Sequence, residues 1–497
     1  MRSAPWVCAG LVALLIAADV HAEQTLSQRL DRVLNSTALR RARVAALVAR
    51  EDGSVLFARA PAERLTPASN QKILTAIACL ASFGPTHRFE TLVYADRPPD
   101  AEGHVDLLFV RGGGDPAITS EDWWRVAADL RRAGLRRVQK ALVLDDSLFD
   151  RKRWHASWGT VSARAYHAPV GALSANYGAY SVTVEAGGQP GDPVRVVIDP
   201  PVDYLRLSNQ ARTGVRRARR TLTIDRRAAG EHEIVEVRGV VRAGDPPKTV
   251  YRSVLDPARY AGSVLRLQLA ANGIAVDGET RLAPVADRAH ELLRFEGKPL
   301  AEIVRLFMKF SNNAIAESLV KAMGASSTGG VGSWSSGTPA LRRRLISLGL
   351  EPADFVLVDG SGLSYQNKVT PRALVQALRV ARDSFYFGPE FVSALPIAAR
   401  DGTLEERAEG AADAVRAKTG LLNGVTALSG FAQLGSGERV VFSVLVNGYR
   451  VSDEEAMAAL DRFVEELVRS PAQEPLLGAP GMGDSPGASS ARAQGGR

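Results

Sequence analysis

The chain is poor in cysteine and in lysine. Two cysteines in 497 residues, Cys8 and Cys79, rule out a disulfide scaffold. Only nine of the 62 basic residues are lysine; the other 53 are arginine, so a lysine in a special local setting is worth following. Aromatics make up only 6% of the residues. Beyond the first 22 residues no apolar run approaches the ~20 needed to span a bilayer. No solenoid-type repeat is present. What is there, 45% hydrophobic and 23% charged residues, describes an ordinary globular protein and excludes bulk disorder. The length allows roughly two to four domains.

Residues 1–22 have the pattern of a secretory signal peptide. Met1-Arg2 is a short basic start, residues 6–18 are apolar, and Val20-His21-Ala22 is a small-x-small cleavage site. Asp19 and the short apolar run argue against an uncleaved anchor, and Cys8 lies inside that run, where a lipoprotein cysteine would not. Cleavage leaves Cys79 as a single thiol, and export without a disulfide points to a bacterial periplasm. The expected product is periplasmic, with no stable membrane span. Residues 471–497 are rich in Pro, Gly, Ser and Ala and are expected to be a disordered tail.

Between these ends the chain divides in three. Residues 23–92 begin with a hairpin signal around Glu51-Asp52-Gly53 and continue into a helix over 73–83, apolar nearly all round and therefore buried. Residues 93–295 alternate short β-like runs (105–110, 141–144, 194–198) with Gly/Pro/Asp turns, and carry one evident helix at 121–133. They read as mostly β inserted domains, with a second insert at about 170–250 inside the first. Residues 296–470 return to helices after Pro299 and at 313–323. They end in strands over 427–434 and 439–446 and an amphipathic helix over 453–468. The fold class is mixed α/β (α+β), an interrupted helix-and-sheet domain carrying inserts.

Three short motifs carry chemistry. Ser69-Asn70-Gln71-Lys72 places a hydroxyl and an amine one helical turn apart at a helix start, where the dipole favours a developing oxyanion. Burial beside the apolar helix favours the neutral amine, which alone can take the serine's proton. The pattern is weak by itself, since chance gives roughly 0.6 S-x-x-K matches in such a chain. A second match, Ser318-x-x-Lys321, reads as a solvated helix face. Ser311-Asn312-Asn313 falls at a junction between two helices, where a hydroxyl can relay a proton and an amide can hold a substrate; a helix N-cap is the structural alternative. Ser174-Ala175-Asn176 matches it by spacing only. Lys418-Thr419-Gly420, with Leu421 following, is the most specific, expected roughly 0.04 times by chance. On an edge strand its Lys and Thr can bind a carboxylate, and its Gly lets a substrate backbone lie alongside. Cys79 reads as a buried small hydrophobe and Trp123-Trp124 as a partly buried pair at a helix start.

In this order S-x-x-K, S-x-N and K-T-G resemble the signature of serine β-lactamases and penicillin-binding proteins. The 242 positions between Ser69 and Ser311, against 107 between Ser311 and Lys418, resemble the class C low-molecular-mass D-alanyl-D-alanine carboxypeptidase/endopeptidase family with its large insertion. Further similar segments are Gly112-Gly113-Gly114-Asp115-Pro116, Tyr166 with Ala168-Pro169, Asp359-Gly360-Ser361-Gly362-Leu363-Ser364, and Gly402-Thr403-Leu404. The resemblance implies the serine β-lactamase-like transpeptidase fold, an antiparallel sheet flanked by helices. It implies attack by Ser69 on a D-Ala-D-Ala bond of a peptidoglycan peptide, with Lys72 as general base. Ser311 would pass a proton to the leaving amine, Asn313 would order substrate and Lys72, and Lys418 and Thr419 would hold a carboxylate. The Ser69 and Leu421 N–H groups would form the oxyanion hole. Peptidoglycan stems and β-lactams are the implied partners, and no metal or cofactor is implied. Leu421 departs from the Thr or Ser usual after K-T-G, which would weaken carboxylate recognition and favour endopeptidase action. A β-lactamase or esterase using the same site, and a catalytically degenerate peptidoglycan-binding protein, are the alternatives.

The net charge of +8 is concentrated. Residues 206–227 hold eight Arg and one Asp, a local +7. A solvated face, or a contact with an anionic wall or membrane polymer or with an acidic partner, follows from this; export argues against nucleic acid.

Overall fold

The computed structural model describes residues 25–470. The expected signal segment, residues 1–22, and the expected disordered tail, residues 471–497, lie outside the described residues.

Five antiparallel strands make the central sheet, in the spatial order Val415–Leu422, Val425–Gln433, Arg439–Asn447, Arg43–Arg50, Val55–Arg59. Arg439–Asn447 is covered on both faces, which is why residues 440–446 are apolar without alternation except at Ser443, whose hydroxyl accepts from Ser429 Oγ (2.8 Å). One face carries Leu26–Leu34 and Asp453–Val468, packed around Leu30, Leu460 and Phe463. The other carries the helices Gln71–Phe83, Leu300–Phe310, Asn313–Thr328 and Pro371–Asp383, packed around Ile77, Phe307, Leu319 and Leu374. Helix starts follow local rules. Ser452 and Glu455 form a capping box, and Thr370 caps a helix whose first residue is Pro371.

Between Arg88 and Pro299 the chain builds a second body. A six-stranded mixed sheet, from Arg88–Ala95, His104–Arg111, Arg137–Asp145, Ala275–Val276, Glu279–Leu282 and His290–Pro299, is backed by helices Ser120–Arg132 and Pro257–Ala271. Residues 179–253 are all β, in two three-stranded sheets and one two-stranded ribbon. Both parts share one hydrophobic core, in which Val182 and Val235 join Leu142 and Leu265. The helix Pro257–Ala271 gave little sequence signal because small residues, Ala258, Ala261 and Gly262, make up much of its buried face. Gly262 is needed there, since a Cβ would sit 2.4 Å from Leu144 Cδ1. Part of the Arg-rich stretch is neutralised, by Arg220–Asp245 (2.7 Å) between loops and by Arg227–Glu236 (2.8 Å) across paired strands, and Arg226 is buried beside Ser253 and Glu233.

Residues 146–178 leave the inserted body and return to the helical face of the central sheet. Phe149, Val170 and Ala172 enter its core. This return corrects the reading of Ser318-x-x-Lys321 as a solvated face. Ser318 is buried, and Lys321, fully buried, donates to Asp150 Oδ1 (2.6 Å) and to the Lys152 carbonyl (2.5 Å). Its ammonium also lies 4.1 Å from the centroid of the Trp334 ring. Cys79 is buried against Met323, 3.5 Å from its sulfur, and burial pushes its thiol pKa up, so it is inert. Trp123 is fully buried while Trp124 is exposed. Removing one partner of the buried Lys321–Asp150 pair costs about 3–5 kcal/mol. Lys321→Ala is expected to lower unfolding free energy by that amount in denaturant titration, and Lys321→Met, which keeps the packed stem, by less.

Candidate active site

Ser69 lies in the 3-10 turn Ala68–Asn70 that feeds helix Gln71–Phe83. Ala68 holds φ +47°, a left-handed conformation unusual for a residue with a Cβ, and this turns the serine toward the edge of the sheet. One turn on, Lys72 is fully buried. Its Nζ lies 3.0 Å from Ser69 Oγ, 2.6 Å from Asn313 Oδ1 and 2.8 Å from the Ser361 carbonyl. A neutral amine has two N–H groups and one lone pair. Asn313 and Ser361 offer only acceptors, so they take the two N–H groups and leave the lone pair for the Ser69 hydroxyl proton.

Burial pushes the Lys72 amine down from the usual lysine range to about 7, against the opposing charges of Glu317 and Asp359. Half the molecules therefore carry a free base near neutral pH, which the sequence argument required.

The second motif divides its labour. Asn312 is the N-cap of helix Asn313–Thr328, accepting from the Ile315 N–H (3.1 Å). Ser311 and Asn313 are thereby left for other bonds. Ser311 ends the preceding helix with φ +56°, and its Oγ accepts from Lys418 Nζ at 2.9 Å. Asn313 Nδ2 donates to the Tyr166 carbonyl (2.9 Å), so the returning segment fixes which way the amide points.

Lys418, Thr419, Gly420 and Leu421 lie on the sheet's edge strand, Val415–Leu422. The strand is held to the nucleophile turn by Asn70 Nδ2 donating to the Lys418 carbonyl (3.0 Å). Gly420 permits that approach, because a Cβ there would meet the Pro67 carbonyl at 2.8 Å. Lys418 is fully buried, and its amine is pushed well below the usual range by burial and then by the positive charges of Lys72 and Arg407. The Thr419 hydroxyl donates to Thr403 Oγ1 (2.7 Å), and Leu421 is 43% exposed. The structure thus brings together the seven defining residues of the three motifs, with Leu421 beside them. Ser174-Ala175-Asn176 is elsewhere; its Asn176 side chain bonds Ser120 and Tyr260.

Sequence reading missed Glu317. It lies one turn beyond Asn313 on the same helix face, fully buried. Its carboxylate accepts from Trp334 Nε1 (2.7 Å), the Gly360 N–H (3.1 Å) and the Ser361 N–H (2.7 Å). Asp359 accepts from Trp158 Nε1 (2.9 Å), the Gly362 and Ser364 N–H groups (2.8 and 2.7 Å) and Asn367 Nδ2 (2.7 Å). The two carboxylates fold the 359–364 turn so that the Ser361 carbonyl faces Lys72. Gly362, at φ +87°, passes so close that a Cβ would lie 1.9 Å from the Ala68 carbonyl. Burial and the neighbouring Asp359 raise the Glu317 pKa, while its N–H donors oppose that rise. The available signal was the i, i+4 spacing of Asn313 and Glu317 together with a Gly-rich turn containing an acid. Among the described residues no cluster of His, Cys, Asp or Glu could hold a metal ion, and no helix is long and apolar enough to cross a membrane.

The model of the D-Ala-D-Ala carboxypeptidase 3 (S13) family matches residues 26–467. The chain belongs to that family. It is 37% identical to the D-alanyl-D-alanine carboxypeptidase of Actinomadura sp. strain R39 over 444 residues, 85% of this chain and 81% of that one. The crystal structure of penicillin binding protein 4 from Haemophilus influenzae superimposes with a TM-score of 0.76 at 24% identity, covering 88% of this chain and 98% of that one. The same Haemophilus protein complexed with a β-lactam superimposes at 0.71 and 25% identity, with the same coverage. The fold expectation is met, and the chain is a serine-type DD-peptidase of the S13 family.

Native acylation is expected to rise with pH and level off above about 7, as Lys72 loses its proton. Glu317→Gln removes a charge that raises the Lys72 pKa and turns an NH₂ toward backbone donors. Stopped-flow acylation should show a plateau rate reduced by at least about tenfold and a rising limb shifted to lower pH. A limb unmoved by the substitution would deny Glu317 its electrostatic role.

Proposed function

We propose that Ser69 attacks the carbonyl between two D-alanines, or between D-alanine and the diamino acid of a peptidoglycan cross-link, to form an acyl-enzyme. The observation that supports this most directly is the 3.0 Å contact between Ser69 Oγ and a buried amine whose two other partners are acceptors only. Lys72 takes the proton from Ser69 as the Oγ–C bond forms. The Ser69 and Leu421 N–H groups receive the oxyanion. As the C–N bond breaks, Ser311 gives its proton to the leaving amine, since Lys418 donates to its oxygen and leaves that proton free to point into the cleft. The Lys72 ammonium then returns its proton to Ser311, so the amine is free again when water attacks the ester; Lys72 takes the proton from the water and gives it to Ser69 Oγ as the ester C–O bond breaks. Thr419 and Lys418 supply a hydrogen-bonding edge for a substrate carboxylate, and Gly420 lets the substrate run alongside the strand.

The site is assigned to the periplasm on the signal-like residues 1–22. The β-lactam complex of the Haemophilus relative supports penicillin as an inhibitor of this chain too. Residues 93–295 are read as two inserted units, the inner one all β. A β-lactamase would use the same groups, but the family to which the chain belongs favours peptide hydrolysis.

Fluorescent penicillin should label the native protein stably, and Ser69→Ala should lose both the label and D-alanine release. Rapid loss of label from the native protein would point to β-lactamase action. The exposed Leu421 offers no hydroxyl to a terminal carboxylate. Leu421→Thr should therefore raise carboxypeptidase turnover on monomeric pentapeptide severalfold relative to cross-link cleavage, measured by mass spectrometry of products from purified muropeptides.

A further inference from the structure

A cavity of about 810 Å³ lies between the inserted body and the junction that carries the second motif. One wall is Phe310 and Asn312, the residues on either side of Ser311. The opposite wall comes from the insert and includes Tyr251, Asp199, Glu121 and Gln268. The volume is that of a site for a medium-sized organic ligand.

Its chemistry is selective. Phe310 is 69% exposed and Tyr251 62% exposed, one large aromatic side chain from the catalytic helix and one from the insert. The side chains of Asp199, Glu121 and Gln268 make no hydrogen bond or ion pair within the protein among the described residues. No Lys or Arg lines the cavity, so two carboxylates give it a negative field. The peptide stem of peptidoglycan carries several carboxylates of its own, and this field repels it. The glycan part is different. Its muramic acid carboxyl is consumed in the amide to the stem, so the sugars are neutral. They present C–H faces that stack on aromatic rings, and hydroxyl and acetamido groups that donate to carboxylates and amides.

We infer that this cavity is a binding site for the N-acetylglucosamine–N-acetylmuramic acid unit of peptidoglycan, beside the catalytic cleft and separate from it. The inference rests on the peptidoglycan reading above. An extended stem of four residues spans about 13 Å, and the cavity begins at Asn312, the residue next to Ser311 of the catalytic cleft. The cavity shares Asn312 with the Ser311–Asn313 turn and Ala165 with the segment whose Tyr166 carbonyl orients Asn313. A sugar seated there therefore bears on the turn that places both side chains.

The test compares cleavage of a cross-linked disaccharide-peptide dimer with the same dimer after amidase removal of its sugars. The native enzyme should show kcat/KM at least about tenfold higher on the glycosylated dimer, equivalent to ~1.4 kcal/mol. Tyr251→Ala and Asp199→Asn should each erase most of that advantage, largely through KM, while leaving turnover of the sugar-free dimer and penicillin acylation unchanged. Equal native rates on the two substrates would overturn the inference. So would variants that lower both rates together, which marks a structural role, or that lower the sugar-free rate alone, which marks a peptide site. If the native protein cleaves neither dimer and takes no penicillin, the peptidase reading fails instead.

Discussion

The structure turns on keeping one lysine amine dry. Lowering the Lys72 pKa from 10.5 to about 7 corresponds to a penalty on the charged form on the order of 5 kcal/mol. That is comparable with the net stability of many domains, so the surroundings must hold the amine in place. The apolar helix Gln71–Phe83 keeps water out, Asn313 Oδ1 and the Ser361 carbonyl accept its N–H bonds, and Glu317 and Asp359 stop the pKa from falling further. Linkage fixes the sign. Because the folded pKa lies below the unfolded one, the unfolded chain binds the extra proton between pH 7 and 10.5, and Lys72 costs the fold least at alkaline pH and most below 7. The site is built at the expense of stability and is supported from outside itself.

That support explains the insertion's path. The segment 146–178 leaves the second body, sends Asp150 to Lys321, Trp158 to Asp359 and the Tyr166 carbonyl to Asn313, then goes back. Each of these contacts meets the helix Asn313–Thr328 or the 359–364 turn, the two elements that face Lys72. Asn313, Glu317 and Lys321 follow at four-residue intervals on that helix, which places them along one face. The first binds the amine, the second holds the turn, and the third anchors the returning segment.

Much of this could be read from the sequence, for identifiable reasons. The helix over 453–468 has a strong amphipathic pattern and a capping box at its start, so local rules alone place it. Ser69 and Lys72 were legible because their partnership is local, three residues apart. The meeting of Lys418 with Ser311 is not local, and nothing in either segment alone requires it. Glu317 escaped because a glutamate inside a helix is ordinarily a surface residue, and only the packing of a turn some 43 residues away buries it. Lys321 was misread for the same reason, since its partners lie 171 and 169 residues earlier. Helix Pro257–Ala271 was missed because it serves two neighbours and gives its small residues to contact, so no single apolar stripe marks it.

The lysine scarcity noted at the outset has a physical counterpart. Arginine serves surface pairing across the inserted sheets, as Arg220 and Arg227 show, because a planar guanidinium suits exposed carboxylates. Lys72, Lys321 and Lys418 are all fully buried. A guanidinium stays charged at any pH of interest, so it could neither act as a base at 72 nor tolerate the like charge between 72 and 418 by losing a proton. Burial of an amine is survivable where it can be neutral, as at Lys72 and Lys418, or fully paired, as at Lys321 beside Asp150. At these three positions the choice of lysine over arginine follows from burial, and at two of them from the chemistry as well.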